Sequence, residues 1–416
     1  MTGKTIWIYE NWSADVPKPL GALYVDGMHG REVYSFEFQK EYLARKENVL
    51  LDPAIANFAG RQYAESGMIW GFLADSCPDR WGRTLMKKRE ALLALQEGRK
   101  PRVLRESDFL LGVHDGGRMG ALRFCIKTDG PFLDNDDTLA APPWVALREL
   151  ESATAALENE DENEVKWLNM LLAPGSSLGG ARPKATVTAP DGSLWIAKFP
   201  SKHDESDVGA WEMVAHDLAT ECGLNTPPAK LASFSKNGST FLVKRFDRQG
   251  NRRVHFASAM TMLGKHDNDH DSSYLDIAGF LREGGAMPAK DLHELWKRMV
   301  FNMLISNTDD HLRNHGFLLT RQGWKLAPLY DVNPIPYGQD LSLGVTYEEN
   351  TISLELAYET AEFYGIKAKV ARDEVKEMAS IVQKGWQDKA QVYHISRSSI
   401  EKMAPAFGLA NRRLTH

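Results

Sequence analysis

Hydrophobic and polar residues alternate with a period of two in several early runs, which predicts strands at Thr5-Ile6-Trp7-Ile8-Tyr9, Leu23-Tyr24-Val25 and Val33-Tyr34-Ser35-Phe36-Glu37-Phe38. Asp26-Gly27, between two of these runs, is a hairpin signal. Near Trp81 to Leu95 the spacing becomes helical. Residues 129–143 are rich in Gly, Pro and Asp without periodicity, so a boundary is expected there. A helix from about Trp144 to Leu157 follows, and the acidic run Glu158 to Glu164 reads as its solvated end. Lys184 to Ala189 and Leu194 to Phe199 flank Asp191-Gly192, a second hairpin signal. Trp211, Val214, Ala215, Leu218 and Cys222 share one helical face that Gly223 can cap. Further strands are expected at Ala229 to Phe234 and Thr240 to Phe246. Beyond about residue 260 the pattern is almost wholly helical, with Leu292, Leu295, Trp296, Met299 and Met303 on one face, and Ala371, Val375, Met378 and Val382 on another. The expected divisions are 1–143, 144–260 and 261–416.

Composition changes this picture little. Hydrophobic content of 43% and charged content of 25% are ordinary for a globular protein. No apolar run is long enough to span a membrane, and Met1-Thr2-Gly3-Lys4 opens no signal peptide, so no membrane association and a cytoplasmic location are expected. Cys77, Cys125 and Cys222 form no CxxC and read as reduced, buried thiols. A net charge of −6 argues against a free-standing nucleic-acid binder.

The candidate chemistry lies in Asn307-Thr308-Asp309-Asp310-His311-Leu312-Arg313-Asn314 and Leu329-Tyr330-Asp331. An Asp, an Asn five residues on and a later Asp are what phosphoryl transfer needs. One carboxylate orients and deprotonates a hydroxyl, while the Asn and the second Asp hold magnesium on ATP. Upstream, Pro174 to Lys184 contains Gly175, Gly179 and Gly180, whose backbone could approach phosphates. It is neither a Walker A nor a dinucleotide fingerprint. Lys198 ends the next strand, where a kinase lysine reaches phosphates, and Glu212 on the following helix could pair with it. Taken singly, each is also an ordinary turn residue or solvated side chain. Their order, strand-rich before helical, is that of a two-lobed kinase. Lys265 to Asp271 mixes His, Asp and Asn without metal-ligand spacing and reads as a polar loop.

These residues also resemble the HipA-type serine/threonine kinases, toxins of bacterial toxin–antitoxin pairs. The match is carried by Ser177 to Lys184, Lys198-Phe199-Pro200, Lys244-Arg245-Phe246-Asp247-Arg248, Asn307 to Asn314, and Tyr330-Asp331-Val332. It covers the chain from about 165 onward well. It is looser at Gly71 to Arg83 and Phe109 to Leu122, similar to the extra N-terminal domain that contacts the antitoxin. The resemblance implies an α+β, two-lobed kinase-like fold: a strand-rich N-terminal lobe with an accessory domain (1–143), then an all-helical C-terminal lobe. It implies that Gly179, Gly180, Ala181, Arg182, Pro183 and Lys184 cover the phosphates of ATP and that Lys198 reaches them. Lys244, Arg245 and Phe246 would form an adenine-reading hinge, His311 would lie beside the nucleotide, Asp309 would be the base, and Asn314 and Asp331 would bind magnesium. Ser177, with Ser176 adjacent, would be autophosphorylated. The implied partners are a protein substrate, expected from the resemblance to be a translation component, and a dimeric helix-turn-helix antitoxin like HipB that bridges two kinase copies and alone reads DNA. Asp310 stands where a small residue is common, and Asp331-Val332-Asn333 replaces Asp-Phe-Gly. A small-molecule kinase on the same scaffold and a silent corepressor subunit are the alternative functions.

Overall fold

The computed structural model describes residues 3–28, 31–45, 49–65, 67–128, 130–133, 141–159, 164–172, 180, 182–250, 252–267, 269 and 271–411. The fold mixes helices with antiparallel strands. It divides into two compact units, Met1–Lys202 with Lys244–Ala257, and His203–Val243 with Ser258–His416.

In the first unit, β1 (Lys4–Glu10), β2 (Lys18–Met28), β3 (Arg31–Phe38), β4 (Gln62–Tyr63) and β5 (Leu122–Cys125) form one antiparallel sheet in the order β4-β3-β2-β1-β5. The alternation has its expected consequence: Ile6 and Ile8 point inward with Leu23, Phe36 and Phe38. Phe36 meets Phe38, Trp70 and Phe72 edge-on, with ring centroids 4.8, 6.3 and 5.6 Å apart. The hairpin signalled by Asp26-Gly27 forms between β2 and β3, but those two residues are not its turn. Both residues sit inside the ladder, opposite Val33 and Glu32, and pairing continues to Met28 and Arg31. Ladder hydrogen bonds from two further residue pairs outweigh the local turn preference of Asp-Gly. Helix α1 (Arg80–Gln96) is capped by Asp79, which accepts from the Gly82 N–H at 2.8 Å. A single 3-10 turn at Trp144–Ala146 leads into α2 (Leu147–Glu158). The hairpin of β6 (Lys184–Thr188) and β7 (Leu194–Lys198) turns at Asp191-Gly192 as expected, with Gly192 at φ +80°.

The second unit opens with α3 (Val208–Glu221), capped by Asp207 and closed by Gly223 at φ +74°. Strands β8 (Ala229–Ala232) and β9 (Thr240–Lys244) pair antiparallel after it. Its core is built around α4 (Tyr274–Gly284), α5 (Pro288–Leu304) and α6 (Ala368–Val392). Leu295, Trp296, Met299, Val300, Phe301 and Met303 are all fully buried, so α5 is enclosed on nearly every side. Two of its buried side chains reach backbone carbonyls. Arg298 donates to the Ala327 carbonyl at 2.7 Å and the Trp296 indole to that of Ala357 at 2.9 Å. The expectation of an all-helical region beyond 261 is corrected by the hairpin of β10 (Gly316–Thr320) and β11 (Gly323–Leu326). Four consecutive pairs, Phe317 to Thr320 against Leu326 to Gly323, form around a two-residue turn too short to register as a helix break.

Candidate active site

Helix α5 delivers the chain into the Asp309 segment. It ends at Leu304, and Ser306 adopts φ +51°, so that the Asn307 N–H returns to the Asn302 carbonyl at 2.8 Å. The two neighbouring carboxylates then part company. Asp309 is exposed, whereas Asp310 is 2% exposed. The Asp310 carboxylate accepts hydrogen bonds from the Tyr274 hydroxyl, from Asn302 Nδ2 at 3.0 Å and from the His315 ring at 2.7 Å. Burial pushes Asp310 upward, but the His315 and Tyr274 hydrogen bonds outweigh it and hold the carboxyl below its ordinary range. Burial, with that carboxylate beside it, pushes the Tyr274 phenol well above its usual value. Asp310 is therefore a buried anion with its donors in place.

After Asp309 the chain makes one 3-10 turn, Leu312–Asn314, before entering β10. Asn314 Nδ2 donates to the Asp309 carbonyl at 3.2 Å. That bond directs the amide nitrogen inward and leaves Oδ1 as the group a hard cation could use. The Tyr330 hydroxyl donates to the Arg313 carbonyl at 2.7 Å, tying the Asp331 segment to the same turn. Asp331 itself is half-buried at φ +58°, a conformation uncommon for a residue with a β-carbon. His311 is half-buried, and its Nδ1 finds no hydrogen-bond partner among the described residues. No three His, Cys, Asp or Glu side chains gather as metal ligands among the described residues. An Asn and an Asp, completed by water and phosphate oxygens, suit magnesium rather than zinc.

The strand-rich unit holds the expected lysines and the glycine-rich segment, while Glu212 belongs to the second unit. Lys184 and Lys198 are direct partners across the β6–β7 ladder, so both side chains lie on one face. Both are buried, and Lys184 Nζ is 2.9 Å from Asp79 Oδ2, the carboxylate that caps α1. Burial raises the Asp79 carboxyl against the pull of Lys184. Gly180 has φ +102°, and a β-carbon there would lie 3.3 Å from Lys184 Nζ, so glycine fits where the loop passes that ammonium. Pro183 is buried and Arg182 half-buried, while Ser176, Ser177, Gly179 and Ala181 lie outside the described residues. Glu212 is 4% exposed on α3.

The Lys244-Arg245-Phe246 segment is anchored from below. Arg245 N–H donates to the Leu194 carbonyl at 2.9 Å. Its fully buried guanidinium binds Asp247 at 2.7 and 2.9 Å and the carbonyls of Gly117 and Arg118 at 2.6 and 3.1 Å. Arg248 and the Gly120 N–H complete the shell of Asp247. Burial opposes ionisation there, but Arg245 and Arg248 hold the carboxyl far below its usual range. Lys244 is partly exposed with Nζ 4.0 Å from Asp191, and Phe246 packs obliquely on Phe256.

Sequence reading missed Asn302, Tyr274 and His315. The one available signal was Asn302 itself, a lone amide in the apolar run Met299 to Leu304.

The HipA-like C-terminal domain family model matches residues 176–386, just over half of the chain, and the chain belongs to this family. A Sinorhizobium fredii protein named "Putative kinase Y4mE" is 30% identical over 192 residues, 40% of this chain and 44% of its own length. A Haemophilus influenzae protein named "Putative kinase" is 28% identical over 187 residues, 39% of this chain and 54% of its own. The chain thus matches about half the length of these curated relatives. In fold it is similar to a chain of the solved Shewanella oneidensis MR-1 toxin–antitoxin complex of HipA, HipB and operator DNA. That likeness has a TM-score of 0.67 over 97% of this chain and 95% of the other, at 15% identity.

Proposed function

We propose that the chain is an ATP- and magnesium-dependent serine/threonine protein kinase of a two-lobed design that serves as the toxin of a toxin–antitoxin pair. The observation that carries this reading is the division between Asp309 and Asp310. The residue at kinase spacing from Asn314 is the exposed one, while its neighbour is consumed by buried hydrogen bonds. Asp309 would then orient a substrate hydroxyl and take its proton as the oxygen–phosphorus bond forms. Asn314 Oδ1 and the Asp331 carboxylate would hold magnesium, which supplies charge neutralisation on the phosphates when bound.

The paired lysines support the nucleotide half of the reading. Like charges directly opposite on one sheet face repel, and Asp79 is the carboxylate beside Lys184. An incoming polyphosphate would meet both ammonium groups on that face, with Lys198 reaching it and Gly179 to Lys184 passing over it. The backbone at Lys244, Arg245 and Phe246 would read adenine, Glu212 would pair with Lys198, and the orphan Nδ1 of His311 would face the nucleotide. Family membership and the kinase names of the relatives agree with phosphoryl transfer. The HipA, HipB and operator DNA complex of the fold relative supports a HipB-like antitoxin as partner; in this reading it is a small helix-turn-helix dimer that bridges two copies and reads DNA itself. The net charge of −6 fits indirect DNA association.

Incubation with magnesium and ATP, followed by phosphopeptide mapping, tests this reading. Phosphate is expected on Ser177, or on adjacent Ser176, and on neither in Asp309→Asn. A phosphate adds about −1.5 to −2 charge where ATP phosphates must sit, which would switch the loop off. An active enzyme unmodified at both serines would remove autophosphorylation, and sub-micromolar sequence-specific operator binding by the chain alone would remove the indirect DNA role.

A further inference from the structure

Asn302 is fully buried in the last turn of α5, and each side of its amide is engaged. Its Oδ1 accepts from Asn307 Nδ2 at 3.0 Å, and its Nδ2 donates to Asp310 Oδ2 and to the Tyr274 hydroxyl, both at 3.0 Å. Those contacts fix the amide's orientation, because a flip would set nitrogen against nitrogen on the Asn307 side. Residues 307 and 310 bracket the dipeptide Thr308-Asp309, so one buried amide grips the chain on both sides of the proposed base.

The bracketed residues are held as well. The Thr308 carbonyl accepts from Ser342 Oγ at 2.7 Å and from its N–H at 3.2 Å. A β-carbon on Gly338 would fall 2.3 Å from Thr308 Cγ2, so the following loop packs directly on that side chain. The Asp309 carbonyl is held by Asn314. With both flanking side chains drawn inward and both carbonyls engaged, the Asp309 side chain is turned outward.

We propose that Asn302 and Asp310 form a positioning pair that aims the Asp309 carboxylate at the substrate hydroxyl, without touching substrate themselves. This deepens, and rests on, the kinase reading above. Displacing a reacting group by about 1 Å can cost on the order of 10²-fold in rate while leaving binding intact. The pair should therefore govern kcat and spare magnesium–nucleotide affinity.

Exchange of the two groups tests it. Asn302→Asp sets two carboxylates together, and Asp310→Asn sets two amides together. The double variant restores one carboxylate and one amide with their places exchanged, still able to accept from Asn307, Tyr274 and His315. Transfer from ATP and calorimetric affinity for a magnesium–nucleotide analogue are measured on each full-length protein. Each single variant should lose about 10²-fold in kcat with nucleotide affinity within about 3-fold, and the double variant should recover at least about 10-fold. If Asn302→Asp does not fold, Asn307→Ser cuts one arm of the same grip and should show the same split. Wild-type kcat in a folded single variant, equal losses of kcat and nucleotide affinity, or no recovery in the double variant would each overturn the pair's role. A wild-type protein with no magnesium-dependent transfer would instead overturn the kinase reading beneath it.

Discussion

Asp247→Ala is the perturbation whose size follows most directly from the structure. The carboxylate accepts from Arg245 at 2.7 and 2.9 Å, from Arg248 at 2.5 Å and from the Gly120 N–H at 2.8 Å, with both Asp247 and Arg245 essentially sealed from solvent. Alanine leaves two guanidinium groups sharing the Arg118 carbonyl with no counter-charge between them. Removing one partner from a buried ion pair costs about 3–5 kcal/mol. The unit that contains it has just over two hundred residues, a size at which each kcal/mol moves Tm by about 2–4 °C. The expected loss is therefore about 6–20 °C for that unit at pH 7, measured by scanning calorimetry. The pH dependence has a definite sign. A carboxylate whose folded pKa is depressed stabilises fully above the unfolded value of about 3.9 and loses that contribution as pH falls toward the depressed one. The gap between wild type and Asp247→Ala should thus be constant near neutrality and narrow in acid. Glu401→Ala, which breaks the exposed Arg397–Glu401 pair, serves as the control and should leave Tm essentially unchanged. A shift under 2 °C for Asp247→Ala, or a gap that widens on acidification, would refute the reasoning.

Three further outcomes are expected. Lys198→Met should weaken magnesium–ATP binding by about 10–100-fold, the scale of one charge-assisted hydrogen bond, and unchanged calorimetric affinity would contradict its role. Burial pushes the thiols of Cys77 and Cys222 up to about 12, and Cys125 is buried too, so Ellman's reagent should label all three only after denaturation; fast stoichiometric labelling of the native protein would be the contrary result. His255 is stacked on Trp12 with ring centroids 4.6 Å apart, and burial lowers its pKa to about 3. The unfolded chain takes up that proton first, so stability should fall as pH drops from about 6.5 toward 3. His255→Phe should flatten that part of the urea-midpoint profile, and an unaltered slope would show that this histidine is not responsible.

The parts legible in the sequence were those whose signals are local. The hairpin from Lys184 to Lys198 combines alternation with an Asp-Gly turn, and α5 shows its apolar face at helical spacing. The Asp309-to-Asn314 spacing is equally local, because it is fixed by one turn of chain. What escaped notice depends on partners distant in sequence. The pairing of Lys184 with Asp79 joins residues about a hundred positions apart, and Tyr274 reaches Asp310 from another helix. Glu212 was expected to pair with Lys198, with a solvated helix residue as its plain alternative; it is buried, which no periodicity announces. The β10–β11 hairpin failed for a different reason: its strands are short, and their apolar residues suit a helix face as well as a ladder.

The central claim is that Asp309 works as a base while Asp310 works as an anchor. Transfer of radiolabelled phosphate from ATP, with and without magnesium, tests it most directly in wild type, Asp309→Asn and Asp331→Ala. The account predicts magnesium-dependent transfer by wild type and a loss of at least about 10²-fold in either variant. Nucleotide affinity should fall for Asp331→Ala alone. Near-normal transfer by Asp309→Asn would contradict it.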